Sequence, residues 1–235
     1  MYYDEHKYKY MDIKIGKFIL IDKPIDWTSF DAVAFLRRQA RQQFPDQKNI
    51  RVGHAGTLDP FATGLLIIGV GRQATKQLDK IKNLEKTYEA VIRLGATSDT
   101  DDCTGKIQPV KSDKKDSPTV ELKNIKKILK TFVGEQEQIP PMYSAKSIGG
   151  QRLYKLARQG KTVERPPSKI KIYKIKLLDF NWPNLSIEVK CSSGTYIRTL
   201  AHDIGQKLDV GGYCLELRRT KIGNYSIKRA QKIKD

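Results

Sequence analysis

Residues 53–64 read GHAGTLDPFATG, and this stretch is the most informative part of the chain. Three glycines and a proline surround one imidazole, His54, and one carboxylate, Asp59, and an apolar run follows at residues 65–70. Glycine and proline at this density are typical of a tight loop, and the apolar run predicts a buried strand. The alternative is an ordinary turn in which Asp59 caps backbone N–H groups. The first interpretation predicts a constrained loop that gives His54 and Asp59 defined directions.

The apolar pattern outside this loop indicates a mixture of strands and helices. Strands are predicted at residues 18–21, 65–70, 87–94, 170–178, 185–191 and 214–220. A helix is predicted to begin at Thr28, with Phe30, Val33, Ala34 and Ala40 on or near one face. Further helical spacing occurs in residues 122–132, 153–157 and 197–208, and residues 95–119 are polar and predict a long connection. Because no regular βαβ order is present, the pattern favours an α+β fold.

The chain carries no linker rich in proline, glycine or serine, which favours one continuous domain over residues 16–235. Residues 1–15 are rich in tyrosine and charged side chains and are predicted to form a polar N-terminal extension. They lack the apolar core of a signal peptide, and no apolar stretch approaches the length needed to span a bilayer. We therefore expect a cytoplasmic protein that does not enter a membrane.

The charge balance predicts a polyanionic partner. The sequence has 44 Lys and Arg against 26 Asp and Glu, which gives a net charge of +18. Nucleic acid is the first expectation and an anionic membrane surface the second, and a generally basic protein is the alternative. Cys103, Cys191 and Cys214 are scattered and form no pair with zinc-ligand spacing, so no metal is expected.

The motifs of this chain resemble, in order, those of the TruB family of RNA pseudouridine synthases, over about residues 16–230. The loop at residues 53–64 carries the strongest resemblance. The other matching segments are residues 21–24 (IDKP), 27–29 (WTS), 86–88 (KTY), 140–145 (PPMYSA), 193–201 (SGTYIRTLA) and 217–219 (LRR). The amino-acid sequence of the loop is more similar to that of the bacterial branch than to that of the archaeal and eukaryotic one. The resemblance implies a pseudouridine-synthase-like, mixed and largely antiparallel sheet flanked by helices.

The resemblance also implies an activity. Family members break the N1–C1′ bond of a uridine, turn the base and join C5 to C1′, which consumes nothing and needs no cofactor. The resemblance makes Asp59 the nucleophile, in the manner of a covalent glycosidase. The sequence leaves open whether this carboxylate attacks C1′ or C6 or promotes formation of a glycal. Arg198 is the implied partner that lowers the pKa of Asp59, and binding to a phosphate or exposure to solvent are its alternatives.

Aromatic side chains would hold the flipped base. The resemblance makes Tyr88 the residue that stacks on the target uracil and assists proton removal from C5, although its place in an alternating strand also suits a core tyrosine. Tyr196 and Leu217 would line the same pocket. His54 would wedge into the RNA, and its alternative is a loop histidine bonded to the backbone.

Other residues would support the loop or bind RNA. Lys23 and Pro24 are expected to shape the floor beneath the loop. Basic residues near the C-terminus, among them Arg218 and Arg219, are expected to bind RNA phosphates.

Among the departures from the family pattern, two affect the expected turn at residue 26 and the expected binding of RNA. Asp26 stands where the family usually has glycine, and the chain stops at Asp235, where most bacterial members continue into an RNA-binding PUA domain. We therefore expect a catalytic domain without a PUA domain.

The function implied by the resemblance is isomerisation of uridine 55 in the T-arm loop of tRNA by a monomeric enzyme. The alternatives are a non-catalytic RNA-binding or tRNA-folding protein and a synthase that acts on another RNA. A glycosidase is remote, because a second catalytic carboxylate is not evident.

Overall fold

The fold is that of a computed structural model, which describes residues 11–47, 49–110, 120–144 and 146–233. The strands are β1 (Phe18–Lys23), β2 (Val52–His54), β3 (Thr63–Val70), β4 (Lys86–Leu94), β5 (Ala96–Ser98), β6 (Ile107–Pro109), β7 (Gly134–Gln138), β8 (Ser147–Ile148), β9 (Gln151–Arg152), β10 (Ser168–Asn181), β11 (Asn184–Cys191), β12 (Gly212–Ile222), β13 (Tyr225–Ser226) and β14 (Gln231–Lys232). The helices are α1 (Ser29–Gln43), α2 (Arg72–Thr75), α3 (Leu78–Lys82), α4 (Leu122–Thr131), α5 (Leu153–Arg158) and α6 (Ile197–Lys207), and a 3₁₀ turn spans Ile227–Arg229. Among these helices none is long and apolar enough to cross a membrane.

Ten of the described strands belong to one mixed sheet. β3 pairs antiparallel with β1 and with β2, and β10 pairs antiparallel with β11 and with β7. β1 pairs parallel with β14, and β3 pairs parallel with β12. The predicted α+β class, with a mixed and largely antiparallel sheet and flanking helices, is confirmed.

By its contacts the chain divides into two compact units. Unit 1 comprises Met1–Tyr88 together with Arg218–Asp235, and unit 2 comprises Glu89–Leu217. Strands β4 and β12 each contain the boundary between the two units. The single domain over residues 16–235 stays a prediction.

The core of unit 1 lies on both faces of β3. Leu66 and Ile68 belong to one apolar cluster, which also contains side chains of β1 and α1, whereas Leu65 and Ile67 belong to a second cluster. Successive side chains of a strand point to opposite faces, so a strand covered on both faces needs an unbroken apolar run. The strand predicted from the run at residues 65–70 is therefore confirmed, with β3 beginning two residues earlier.

Helix α1 begins where the sequence predicted. Thr28 is its N-cap and forms a capping box with Asp31, in which each side chain accepts a hydrogen bond from the other residue's backbone N–H. Of the four residues predicted to lie on or near one face, Val33 is buried, as is Ala40, but Phe30 is 64% exposed and Ala34 is exposed. That prediction is wrong for these two exposed residues, because the buried stripe follows a different set, namely Ser29, Ala32, Val33, Phe35, Leu36, Gln39 and Ala40.

The first described residues belong to unit 1. Residues 1–10 of the predicted polar extension lie outside the described residues. Met11 and Ile13 are buried in the cluster that includes side chains of α1. The backbone N–H of Met11 donates to Oε1 of Gln39 at 3.1 Å, and Nε2 of Gln43 donates to the Met11 carbonyl at 3.0 Å. The segment from Met11 onward therefore packs as part of the folded unit.

Unit 2 is built largely as predicted. β10 and β11 form an antiparallel hairpin that turns between Asn181 and Asn184. α4 and α6 both lie in this unit, with the ammonium of Lys207 4.3 Å from the centre of the Phe132 ring. The long connection predicted over residues 95–119 is wrong in part, because it contains the two-stranded sheet β5–β6. Residues 111–119 lie outside the described residues.

Candidate active site

The loop at residues 55–62 joins β2 to β3 in unit 1. These strands pair antiparallel, with His54 opposite Ile68, so the loop starts and ends on neighbouring strands. Gly56 has a φ of +86° and Gly64 a φ of +104°, values that only glycine adopts without strain. A Cβ atom on Gly64 would also overlap the backbone of Arg219 on β12. The glycines of the sequence motif therefore serve the turn and the close approach of β12.

Arg219 lies beneath this loop with its side chain only 1% exposed. Its Nε donates to the Leu65 carbonyl at 2.7 Å, its Nη2 to the Gly56 carbonyl at 3.0 Å and its Nη1 to the Thr57 carbonyl at 3.5 Å. The prediction that Arg219 binds RNA phosphates is therefore wrong, because its donors are occupied by backbone and it is out of reach of solvent. The planar guanidinium group is suited to binding several backbone carbonyls at once, because it holds its N–H donors in one plane.

Lys23, at the end of β1, supports the other side of the loop. Its fully buried ammonium donates to the carbonyls of Pro24 at 2.8 Å, Trp27 at 2.6 Å and Pro60 at 3.2 Å. Burial lowers the pKa of Lys23 to about 8, and the carboxylate of Asp59 opposes this shift by favouring the charged form. The described geometry thus brings Lys23, Pro24 and the Asp59 loop together, and their roles as floor residues stay a prediction.

Asp59 itself is half-buried at the middle of the loop. Its carbonyl accepts a hydrogen bond from the N–H of Ala62 at 3.1 Å, and both of its chain neighbours are anchored to other elements of unit 1. Ser29 binds Leu58, and Lys23 binds Pro60. The side chain therefore projects from a backbone with little freedom to move.

His54 is the last residue of β2 and is partly buried. Burial lowers the pKa of His54, and the positive charge of Arg219 lowers it further, while a backbone hydrogen bond at Gly56 opposes both effects. The imidazole is therefore neutral at pH 7. A neutral ring suits stacking against a base better than it suits pairing with a phosphate.

Tyr88 lies on β4 at the end of unit 1 and is 8% exposed. The burial of Ala90, Ile92 and Leu94 in the same strand confirms the predicted alternation. A buried tyrosine agrees with a core position and with a place in an enclosed pocket, so its catalytic role stays a prediction.

Arg198, in the first turn of α6, is the centre of a buried polar network in unit 2. Its Nη1 lies 3.3 Å from Oδ2 of Asp102, with side-chain exposures of 3% and 6%. The same Nη1 donates to the Thr100 carbonyl at 2.9 Å, and Nη2 donates to the Tyr143 carbonyl at 2.7 Å. The alternative that Arg198 is exposed to solvent is therefore excluded. The ion pair with Asp59 that the sequence favoured joins residues of different units and stays a prediction.

Asp102 was missed by the sequence analysis. Its Oδ1 accepts hydrogen bonds from the Thr100 hydroxyl at 2.8 Å, the Thr104 hydroxyl at 2.6 Å and the Thr104 N–H at 2.9 Å. The other carboxylate oxygen, Oδ2, is the one that forms the ion pair with Arg198. The signal in the sequence was a run of Ser, Thr and Asp at residues 98–104, which is also typical of an ordinary turn.

The remaining two predicted residues belong to unit 2. Tyr196 is the N-cap of α6, and its backbone N–H and carbonyl both bind the amide group of Gln138, at 2.8 and 2.9 Å. Leu217 lies on β12 and is 7% exposed. These contacts place the start of α6 firmly but leave the pocket roles of both residues as predictions.

We expect Asp102→Asn to lower the free energy of unfolding by about 3 kcal/mol, because it removes a buried carboxylate that lies 3.3 Å from the buried guanidinium of Arg198. Urea denaturation followed by circular dichroism measures this change. Asp22→Asn is the control, since Asp22 binds Arg218 at 2.7 Å but the arginine is 40% exposed. The control should cost about 1 kcal/mol or less. Equal losses for both variants would contradict the buried network.

Comparison with known proteins assigns the fold and the family. The sequence matches the models of the TruB family pseudouridylate synthase N-terminal domain over residues 41–197 and of the tRNA pseudouridylate synthase B C-terminal domain over residues 198–235. It is 45% identical over 212 residues to tRNA pseudouridine synthase B of Bordetella avium (strain 197N), covering 90% of this chain and 83% of that protein. It is 41% identical over 219 residues to tRNA pseudouridine synthase B of Chlorobaculum tepidum, covering 93% and 88%.

Among solved structures, the chain is similar to one from a Cbf5–Nop10–Gar1 complex, with a TM-score of 0.65, 26% identity and 92% of this chain covered. The match covers 51% of that chain, so the present chain spans about half its length. This likeness agrees with the predicted fold. The matching family models and relatives place the protein in the class of pseudouridine synthases. Within that class, the chain belongs to the TruB family.

Proposed function

We propose that this protein isomerises uridine 55, in the T-arm loop of tRNA, to pseudouridine. The observation that carries the proposal is the anchored loop of unit 1, which holds one carboxylate, Asp59, in a chain that belongs to the TruB family. The net charge of +18 agrees with a polyanionic substrate. The finer proposal is that the enzyme acts as a cytoplasmic monomer and reads the folded shape of the T arm.

The reaction conserves all atoms of the nucleotide. The N1–C1′ bond breaks, the uracil turns, and a C5–C1′ bond forms while C5 loses a proton and N1 gains one. We propose Asp59 as the nucleophile, because a carboxylate adds to carbon and leaves again with comparable ease. Arg198 is proposed to keep this carboxylate ionised, and Tyr88 to assist loss of the C5 proton.

The target base has to leave the stack before this chemistry begins, at a cost of a few kcal/mol. His54 is proposed to stack in the space that the base vacates, which agrees with its neutral ring. Tyr196 and Leu217 are proposed as walls of the pocket that receives the uracil. Aromatic stacking returns about 1–3 kcal/mol per base, which is enough to offset much of the unstacking cost.

The test is to map pseudouridine on an unmodified tRNA transcript by carbodiimide treatment and primer extension. We expect one new stop, at position 55, after incubation with the protein. A transcript with cytidine at that position is the matched control and should show no stop. Tight binding without any stop would favour the alternative of a non-catalytic RNA-folding protein. A stop elsewhere, or only in other cellular RNA, would contradict the proposed substrate.

A further inference from the structure

Every backbone carbonyl from residue 56 to residue 60 accepts a hydrogen bond from a defined donor. Arg219 binds the first two, and the Ser29 hydroxyl donates to the Leu58 carbonyl. The Asp59 carbonyl accepts from the N–H of Ala62, and the Pro60 carbonyl accepts from the Asp26 N–H and the Lys23 ammonium. Such complete pairing is unusual in a loop, where water commonly binds the backbone. It indicates a segment whose backbone is held in one conformation.

Ser29 binds Leu58, the residue that precedes Asp59 in the chain. Its hydroxyl donates to the Leu58 carbonyl at 3.1 Å and accepts from the Leu58 N–H at 2.8 Å, so one oxygen binds both backbone groups of this residue. Ser29 is 2% exposed and is the first residue of α1. The capping box of Thr28 and Asp31 binds the helix start independently, which leaves the Ser29 hydroxyl for the loop.

Arg219 binds the same segment through hydrogen bonds that do not involve Ser29. It lies opposite Gly64 in the parallel pairing of β12 with β3, and the absence of a side chain at Gly64 permits this approach. From there its guanidinium joins the loop at Gly56 and Thr57 to the strand at Leu65. The two ends of the loop are thereby tied to one planar group.

We propose that Ser29 and Arg219 are positioning residues that set the direction of the Asp59 carboxylate. The inference rests on the proposed function, in which Asp59 reacts with the nucleotide. Rotation of the Leu58 peptide group displaces the next residue, Asp59, directly. A displacement of about 1 Å in a reacting group costs about 10²-fold in rate, because the near-attack geometry is lost. Neither residue touches the substrate in this proposal, so both act on the chemical step and not on RNA affinity.

The first test is Ser29→Ala. We expect the single-turnover rate on tRNA to fall about 10²-fold, while the Kd for tRNA stays within about threefold of the wild type. The matched control is Gln39→Met, which also removes one buried side-chain acceptor of a backbone N–H, that of Met11, in the same helix. Gln39 is ten residues from Ser29, about 15 Å along the helix. The control should keep the rate within about twofold of the wild type.

The second test is independent of turnover. Hydrogen exchange of a peptide covering residues 53–64, followed by mass spectrometry, should be about tenfold faster in Ser29→Ala and in Arg219→Lys than in the wild type or in Gln39→Met. If the rate falls equally in Ser29→Ala and Gln39→Met, the effect is general destabilisation and the inference is overturned. Unchanged exchange in Ser29→Ala overturns it as well. If the wild-type protein makes no pseudouridine, the proposed function is contradicted. The hydrogen-exchange experiment alone then tests whether Ser29 and Arg219 keep the loop in one conformation.

Discussion

Replacing Asp59 with asparagine is expected to abolish detectable pseudouridine formation, a loss of at least about 10⁴-fold in rate. This corresponds to about 5 kcal/mol of transition-state stabilisation. The amide is nearly the same size as the carboxylate but carries no negative charge, so it is a poor nucleophile toward the nucleotide. The contacts of Ser29 with Leu58 and of Lys23 with Pro60 involve backbone groups, and the substitution leaves them in place. The loop should therefore keep its shape.

Release of tritium from tRNA labelled at C5 of uridine, under single-turnover conditions, measures this rate. The Kd for tRNA, from filter binding, should stay within a few-fold of the wild type, because one loop carboxylate contributes little to phosphate binding. Asp26→Asn is the matched control. Asp26 is an exposed carboxylate in the same unit with a φ of +64°, which asparagine also tolerates. Retained turnover in Asp59→Asn would refute the assignment of the nucleophile.

Tyr88→Phe is expected to slow turnover by about 10³-fold, because it keeps the ring and removes the hydroxyl proposed to assist proton loss from C5. The effect should lie in the chemical step, since the aromatic face that would stack on uracil remains. Tyr88 is 8% exposed, so the smaller side chain fits the same site without a change in the fold.

The single-turnover rate and its dependence on pH measure this change, and binding of tRNA serves as the second readout. Tyr213→Phe is the control, because Tyr213 is 6% exposed on another strand and also loses only a hydroxyl. We expect the control to stay within about twofold of the wild type. A near-normal rate in Tyr88→Phe would remove this hydroxyl from proton transfer and favour the alternative of a core tyrosine.

Local pattern was enough to predict every described strand and helix of six or more residues, but not the shorter ones. The apolar run at residues 65–70 is the buried strand β3, and the alternation of Tyr88, Ala90, Ile92 and Leu94 is the buried side of β4. The start of α1 was predicted at Thr28, and the capping box that Thr28 forms with Asp31, three residues later, is a local interaction. The unusual Asp26 was also visible, and its φ of +64° explains why glycine suits that position.

Prediction failed where a residue type admits two environments. Arginine near the C-terminus of a chain with a charge of +18 is usually a surface group, yet Arg219 is buried beneath the loop. Phe30 is an apolar residue of a type common in protein cores, yet it is 64% exposed. The orientation of α1 buries a different face of the helix. The orientation of a helix cannot be predicted from residue composition and spacing alone.

The sequence by itself determined the family, the order of the longer elements and the identity of the loop that carries Asp59, since these depend on local periodicity and on an ordered motif. Only the tertiary structure decided what holds that loop, namely Ser29 and Arg219, and which carboxylate accompanies Arg198 within unit 2, namely Asp102. The physical reason is the nature of these contacts. Ser29 binds a backbone group 29 residues away, and Arg219 binds one 163 residues away. Because every residue type has the same backbone carbonyl, the residue types at these positions do not identify the partners.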